Sequence, residues 1–151
     1  MTLAELEAEL GPMRSTINRI LKQCQFLDYG DLSGLDLDYK DPEQVFLRNE
    51  YSVIMEHLAD ISAELAILNS PVKYTGTLRL RPDGRYGTED GFYYTSGSPI
   101  EALLDDPNSG DPAQWVLSTI EYAEDYYIVG HRGIKLNGLT VRRRANPITG
   151  F

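Results

Sequence analysis

The 151-residue sequence has one cysteine, two histidines and one tryptophan. With Cys24 alone, no intrachain disulfide can form, and a reducing cytoplasm is the expected compartment. No run of about 18 apolar residues occurs, so no membrane-spanning helix is expected. Met1-Thr2-Leu3-Ala4-Glu5 lacks the basic-then-apolar order of a secretory signal. Cys24, His57 and His131 are scattered singly rather than at metal-ligand spacing, so no metal site is expected. Neither a phosphate-cradling Gly-Lys loop nor a dinucleotide fingerprint is present. Nothing in the spacing sets a nucleophile beside an oriented base. The adjacent carboxylates Asp105-Asp106 and Glu124-Asp125 fall in loops, where solvation is their ordinary state. The expectation is a protein without catalytic residues or cofactor.

Positive charge is scarce in the first half. Residues 1–71 hold 5 Lys/Arg against 13 Asp/Glu, whereas residues 72–151 hold 9 against 10, so nearly all of the net −9 lies before Pro71. Such a surface repels nucleic acid and membrane phosphates and attracts basic proteins, although acidic surfaces also serve solubility alone.

Hydropathy changes period at the same place. Thr2 with Glu5 forms a capping-box pattern, followed by Leu3, Leu6, Leu10, Met13, Ile17, Ile20, Cys24 and Leu27 at three- and four-residue spacing. The pattern predicts a helix over residues 3–28 with a break near Gly11-Pro12. Asp41-Pro42-Glu43-Gln44 starts a second helix over 42–69, with Leu47, Tyr51, Ile54, Leu58, Ile61, Leu65 and Leu68 as its core stripe. Two such stripes predict an antiparallel helical hairpin over residues 1–71. The loop between them carries Asp31, Asp36 and Asp38, but not at the spacing of a calcium loop.

From residue 72 the pattern is that of short strands separated by turns, and it predicts an antiparallel β domain over 72–145 with a tail at 146–151. Strands are expected at Val72–Leu80, Phe92–Thr95, Trp115–Tyr122, Tyr126–Val129 and Leu139–Arg142. Residues 98–104 read as helical turn or buried strand, with the neighbouring pattern favouring strand. The fold class is α+β, the second part an SH3-like barrel or curled sheet.

Pro99-Ile100-Glu101-Ala102-Leu103, Trp115 to Tyr122, Tyr126-Tyr127-Ile128-Val129-Gly130 and Gly138-Leu139-Thr140-Val141-Arg142 carry a resemblance. Over residues 74–144 the chain resembles a domain-of-unknown-function family from Gram-positive mobile genetic elements, with a strand order like that of SH3-like barrels. The resemblance implies a phage or mobile-element context, in which small acidic inhibitors such as anti-CRISPR proteins occur. It carries over no catalytic residue.

Two surfaces follow. Glu5, Glu7, Glu9, Asp31, Asp36, Asp38 and Glu43 form a candidate acidic, nucleic-acid-mimicking face for a basic protein partner, a CRISPR effector being one candidate. Arg79, Arg81, Arg85, Tyr93, Tyr94, Arg142 and Arg144 form a candidate cation-and-stacking surface for single-stranded nucleic acid, which the net charge disfavours. A third reading is homodimerisation through the long helices.

Overall fold

A computed structural model describes residues 1–105, 108 and 110–145. The expected tail at 146–151 and part of the loop after Asp105 lie outside them. The described chain divides between Ser70 and Pro71 into a helical unit and a sheet unit.

Helix α1 spans Leu3–Gln23 and opens on a capping box, with the Glu5 amide donating to Thr2 Oγ1 at 3.2 Å and the Thr2 amide to Glu5 Oε2 at 2.6 Å. The expected break at Gly11-Pro12 is absent, for α1 runs through it. Proline clashes chiefly with the residue before it and with the preceding turn. Gly11 has no Cβ to add to that clash. Good helix formers before Gly11, among them Leu3, Ala4, Leu6, Ala8 and Leu10, offset the missing hydrogen bond. The break comes instead at Gln25, in the left-handed region at φ 58°. A four-residue helix α2, Phe26–Tyr29, follows and stops at Gly30 with φ 72°.

Helix α3 spans Pro42–Asn69; the Asp41 carboxylate accepts from the Glu43 amide at 2.9 Å, and Pro42 supplies the first turn. The core of this unit is Ile17, Leu21, Phe26 and Leu32, packed with Cys24, Met55, Leu58 and Ala59. Ser62 is buried and donates to Asn18 Oδ1 at 2.5 Å. The expected core stripe of α3 is thus only partly core. Leu58 packs inward, but Leu47, Tyr51, Ile54, Ile61 and Leu68 are exposed. The small side chains of Ala59 and Ser62, with the Asn18 hydrogen bond, draw α1 onto a face rotated from the stripe.

The sheet unit contains β1 (Val72–Thr77), β2 (Arg79–Leu80), β3 (Tyr86–Gly87), β4 (Pro99–Leu104), β5 (Gln114–Ala123), β6 (Asp125–Ile128) and β7 (Thr140–Arg144). Five of them form an antiparallel sheet in the order β1-β7-β4-β5-β6, while β2 and β3 pair separately. The sheet is open, with β1 and β6 at its edges, and does not close into a barrel, one of the two forms expected. Residues 99–104 form its central strand, paired to β5 throughout and to β7 at Glu101 and Ala102.

Two strand expectations are corrected. Val72–Leu80 is divided at fully buried Leu78, whose amide and carbonyl bond instead to Leu139 and Gly138. Phe92–Thr95 is no strand: Gly91 turns the chain at φ 90°, and Tyr93 makes only an isolated bridge with Gly87. Both departures lead side chains into one core, made by Leu78, Tyr86, Tyr94, Ile100, Ala102, Leu104, Ile120, Ile128, Leu136 and Val141.

Burial separates the two apolar patterns energetically. Ile120→Ala, at 0% exposure, should cost about 3 kcal/mol of stability in urea denaturation. Ile61→Ala, at 45% exposure, should change it by less than about 0.5 kcal/mol.

Candidate binding surfaces

Twelve of the thirteen carboxylates in residues 1–71 are exposed, the exception being the half-buried helix cap Asp41. Several serve the local backbone as well. Glu5 completes the α1 cap. Asp31 accepts from the Ser33 amide at 2.8 Å, and Asp38 from the Lys40 amide at 2.9 Å. The Ser33 side chain and amide hold the Asp31 carboxyl below the usual carboxylate range. Glu7, Glu9, Asp36 and Glu43 are exposed on the same unit. The candidate acidic residues are therefore all solvent-facing, and three of them also fix the chain that carries them.

The helical unit has a second surface feature, hidden from periodicity because periodicity assigned it to the core. On α1, Leu3, Leu6, Leu10 and Met13 are exposed, along the face that buries Ile17 and Leu21 farther on. On α3 the exposed apolar residues include Leu47, Ile54, Ile61 and Leu68.

The candidate basic residues of the sheet unit do not form one surface. Glu101, 8% exposed on the central strand, accepts from Arg142 Nε at 3.0 Å and from Arg144 Nε at 2.9 Å. Arg144 Nη2 adds a bond to Glu101 at 3.0 Å, and the Arg142 guanidinium lies 4.2 Å from the Trp115 ring. Burial pushes the Glu101 carboxyl up, but hydrogen bonds from Arg144 and Arg142 prevail and hold it below the usual glutamate range. Arg143 bonds Thr88 Oγ1 at 2.9 Å and the Asp90 carboxylate, and stands 4.2 Å from both the Tyr74 and Phe92 rings. Tyr94, expected on the surface, is 1% exposed and sits edge-on to Phe92 in the core. Arg79 is exposed on β2. Arg81 and Arg85 come together over exposed Tyr93, at 4.7 and 5.2 Å from its ring centre.

Sequence reasoning missed Glu101 and Arg143 as members of these networks. A charged residue inside the apolar run Pro99–Leu104 was the available signal, because a buried carboxylate demands cationic partners. It also missed the tyrosine wall in which Tyr126 meets Tyr86 and Tyr122 edge-on, beside Arg132 stacked 4.4 Å over Tyr127. Tyr86, Tyr126, Tyr127 and Arg132 border a cavity of about 260 Å³.

Among the described residues, no three His, Cys, Asp or Glu side chains converge as a metal site, and no helix is long and apolar enough to cross a membrane. His57 is exposed on α3, His131 follows β6, and half-buried Cys24 donates to the Leu21 carbonyl at 3.6 Å.

Residues 76–143, less than half of the chain, match a family described as a domain of unknown function, DUF5348. The match covers most of the sheet unit and none of the helical unit. No curated protein and no solved structure matches the chain.

Glu101→Ala should cost about 3 kcal/mol at pH 7, because it leaves Arg142 and Arg144 half-buried and uncompensated. The folded carboxyl is depressed relative to the unfolded one. Its stabilisation is therefore complete above the usual glutamate range and is lost as pH falls through the folded value. The deficit of the variant, measured by urea denaturation at a series of pH values, should shrink toward acid.

Proposed function

We propose that this chain is a non-enzymatic protein-binding inhibitor or modulator, whose acidic helical unit docks on the basic surface of a nucleic-acid-handling protein. The observation that carries the reading is the segregation of charge. The carboxylates of residues 1–71 are nearly all exposed, whereas Arg142, Arg143 and Arg144 are committed to Glu101, Asp90 and aromatic rings. Carboxylates held along capped helices, arranged as an antiparallel hairpin, would present negative charge where a nucleic-acid backbone would otherwise lie. Their gain is fast encounter and discrimination for a basic partner. The sequence resemblance of residues 74–144 to a mobile-element family directs the search for that partner to host-defence nucleoproteins, CRISPR effectors among them.

The test is titration of the full chain against such proteins at low and high salt, with an oligonucleotide competitor. Binding should weaken steeply with salt and compete with the oligonucleotide. Combined Glu7→Lys, Glu9→Lys and Asp36→Lys should weaken it by at least about tenfold. Binding that ignores both salt and these reversals would exclude the electrostatic mechanism.

A second reading, nucleic-acid binding by the sheet unit, is favoured by Arg81 and Arg85 around exposed Tyr93. On that reading single-stranded DNA or RNA should shift in a gel at low salt, and Tyr93→Ala should abolish the shift.

A further inference from the structure

The loop after β6 carries two cations that the fold leaves unpaired. Arg132 and Lys135 are exposed, and neither side chain has a carboxylate or hydrogen-bond partner among the described residues. By contrast Arg81, Arg142 and Arg143, also set over aromatic rings, each pair with a carboxylate. The chain that holds the two cations is nonetheless pinned. The His131 amide donates to the Ile128 carbonyl at 2.9 Å, and the Ile134 amide to the His131 carbonyl at 3.2 Å. Ile134 and Leu136, on either side of Lys135, pack into the core. Arg132 is held further by Tyr127, whose ring centre lies 4.4 Å from the guanidinium carbon. The five N–H donors of a guanidinium lie in its own plane, so a ring against its face leaves them open to a ligand.

Both cations line the cavity of about 260 Å³, together with Tyr86, Tyr126, Tyr127 and Asp125. Its walls differ in chemistry. Tyr126 and Tyr127 are half-buried rings, and Tyr126 stands edge-on to buried Tyr86. Asp125 adds an acceptor carboxylate, whose Oδ1 takes the Tyr126 amide at 2.7 Å. Glu124, at φ 66°, turns β5 into β6 in a single residue and so fixes Asp125 at the start of the strand. A ligand that answers every wall carries an anion, a planar ring and a hydrogen-bond donor. Two cations against one carboxylate leave a positive surplus, which a phosphate of charge about −2 matches and a zwitterion does not. We infer that the cavity is a binding site for a single nucleotide. Its phosphate lies on Arg132 and Lys135, its base packs against the tyrosines, and a base N–H or sugar hydroxyl donates to Asp125. Charge-assisted bonds from arginine to phosphate and stacking of bases on aromatic rings supply the affinity. The volume is just below the roughly 300 Å³ at which sites for drug-sized molecules begin, which limits the occupant to one base with its sugar phosphate. A free nucleoside monophosphate and the phosphorylated end of a single strand share this chemistry. The site uses neither the acidic docking face proposed above nor the Arg81, Arg85 and Tyr93 group.

Calorimetric titration of the full chain with the common ribonucleoside monophosphates, their nucleosides and inorganic phosphate separates the contributions. At least one monophosphate should bind, with its nucleoside and inorganic phosphate each weaker by at least about tenfold. Arg132→Gln with Lys135→Gln should weaken that monophosphate by at least about tenfold and leave the thermal midpoint unchanged, because both positions are exposed. Tyr127→Leu should weaken the monophosphate, and Tyr93→Ala should leave its affinity as it is. A phosphorylated pentanucleotide that binds more tightly than the monophosphate, and loses the advantage when its terminal phosphate is removed, identifies a strand end as the natural ligand. Equal or weaker binding of that strand identifies the free nucleotide. The inference is overturned when neither monophosphates nor the phosphorylated strand bind up to about 1 mM. It is overturned equally by inorganic phosphate binding as tightly as any monophosphate, or by an affinity that survives the paired glutamines but not Tyr93→Ala.

Discussion

A glutamate on the central strand of a sheet loses its water from both sides and must be neutralised where it stands. Glu101 meets that constraint with Arg142 and Arg144, two residues apart on β7 and therefore directed to the same side of the sheet. Val141, just before Arg142, is fully buried, so one strand supplies both the core and the ion-pair layer. Register follows from this arrangement. A one-residue slip of β7 that set Arg142 opposite Ala102 would carry an arginine into the core position of Val141. The pairing Glu101 with Arg142 thus defines where β7 lies against β4, and through β7 where β1 lies.

The same constraint shapes what the sheet unit can offer a ligand. Its arginines are numerous, but those of β7 are bound within the fold, and Arg143 is held by Thr88, Asp90 and two rings. Around Tyr93, Arg81 and Arg85 meet an exposed ring, Arg81 also pairing with exposed Asp83. The helical unit is organised the other way. Its carboxylates cap helices and close turns yet remain at the surface, so charge and local structure reinforce each other there.

Much of this was legible in the residues themselves. Capping residues and apolar spacing disclosed the long helices, and the strand at 99–104 follows the alternation around it. The errors share a cause, since local pattern does not say what lies opposite. Pro12 looked like a stop, but Gly11 before it relieves the clash. The α3 stripe looked like core, but two small residues, Ala59 and Ser62, turned a different face inward. Tyr94 looked like one of a pair of surface tyrosines, although a turn at Gly91 sends it into the core beside Phe92. Glu101 was visible as an anomaly in an apolar run, and only the neighbouring strand identifies its partners.

An open sheet leaves backbone donors and acceptors along its two margins, which a closed barrel would have paired. Here the margins are ill suited to growth. β6 is four residues long and begins with Asp125. β1 begins after Pro71, carries Lys73, and has an irregular register between Val72 and Tyr74. A solvated lysine or aspartate, an interrupted ladder and a short run each penalise the addition of a foreign strand. The sheet is thereby insulated against stacking edge to edge into fibrils, a protection of colloidal stability written into its two outermost strands.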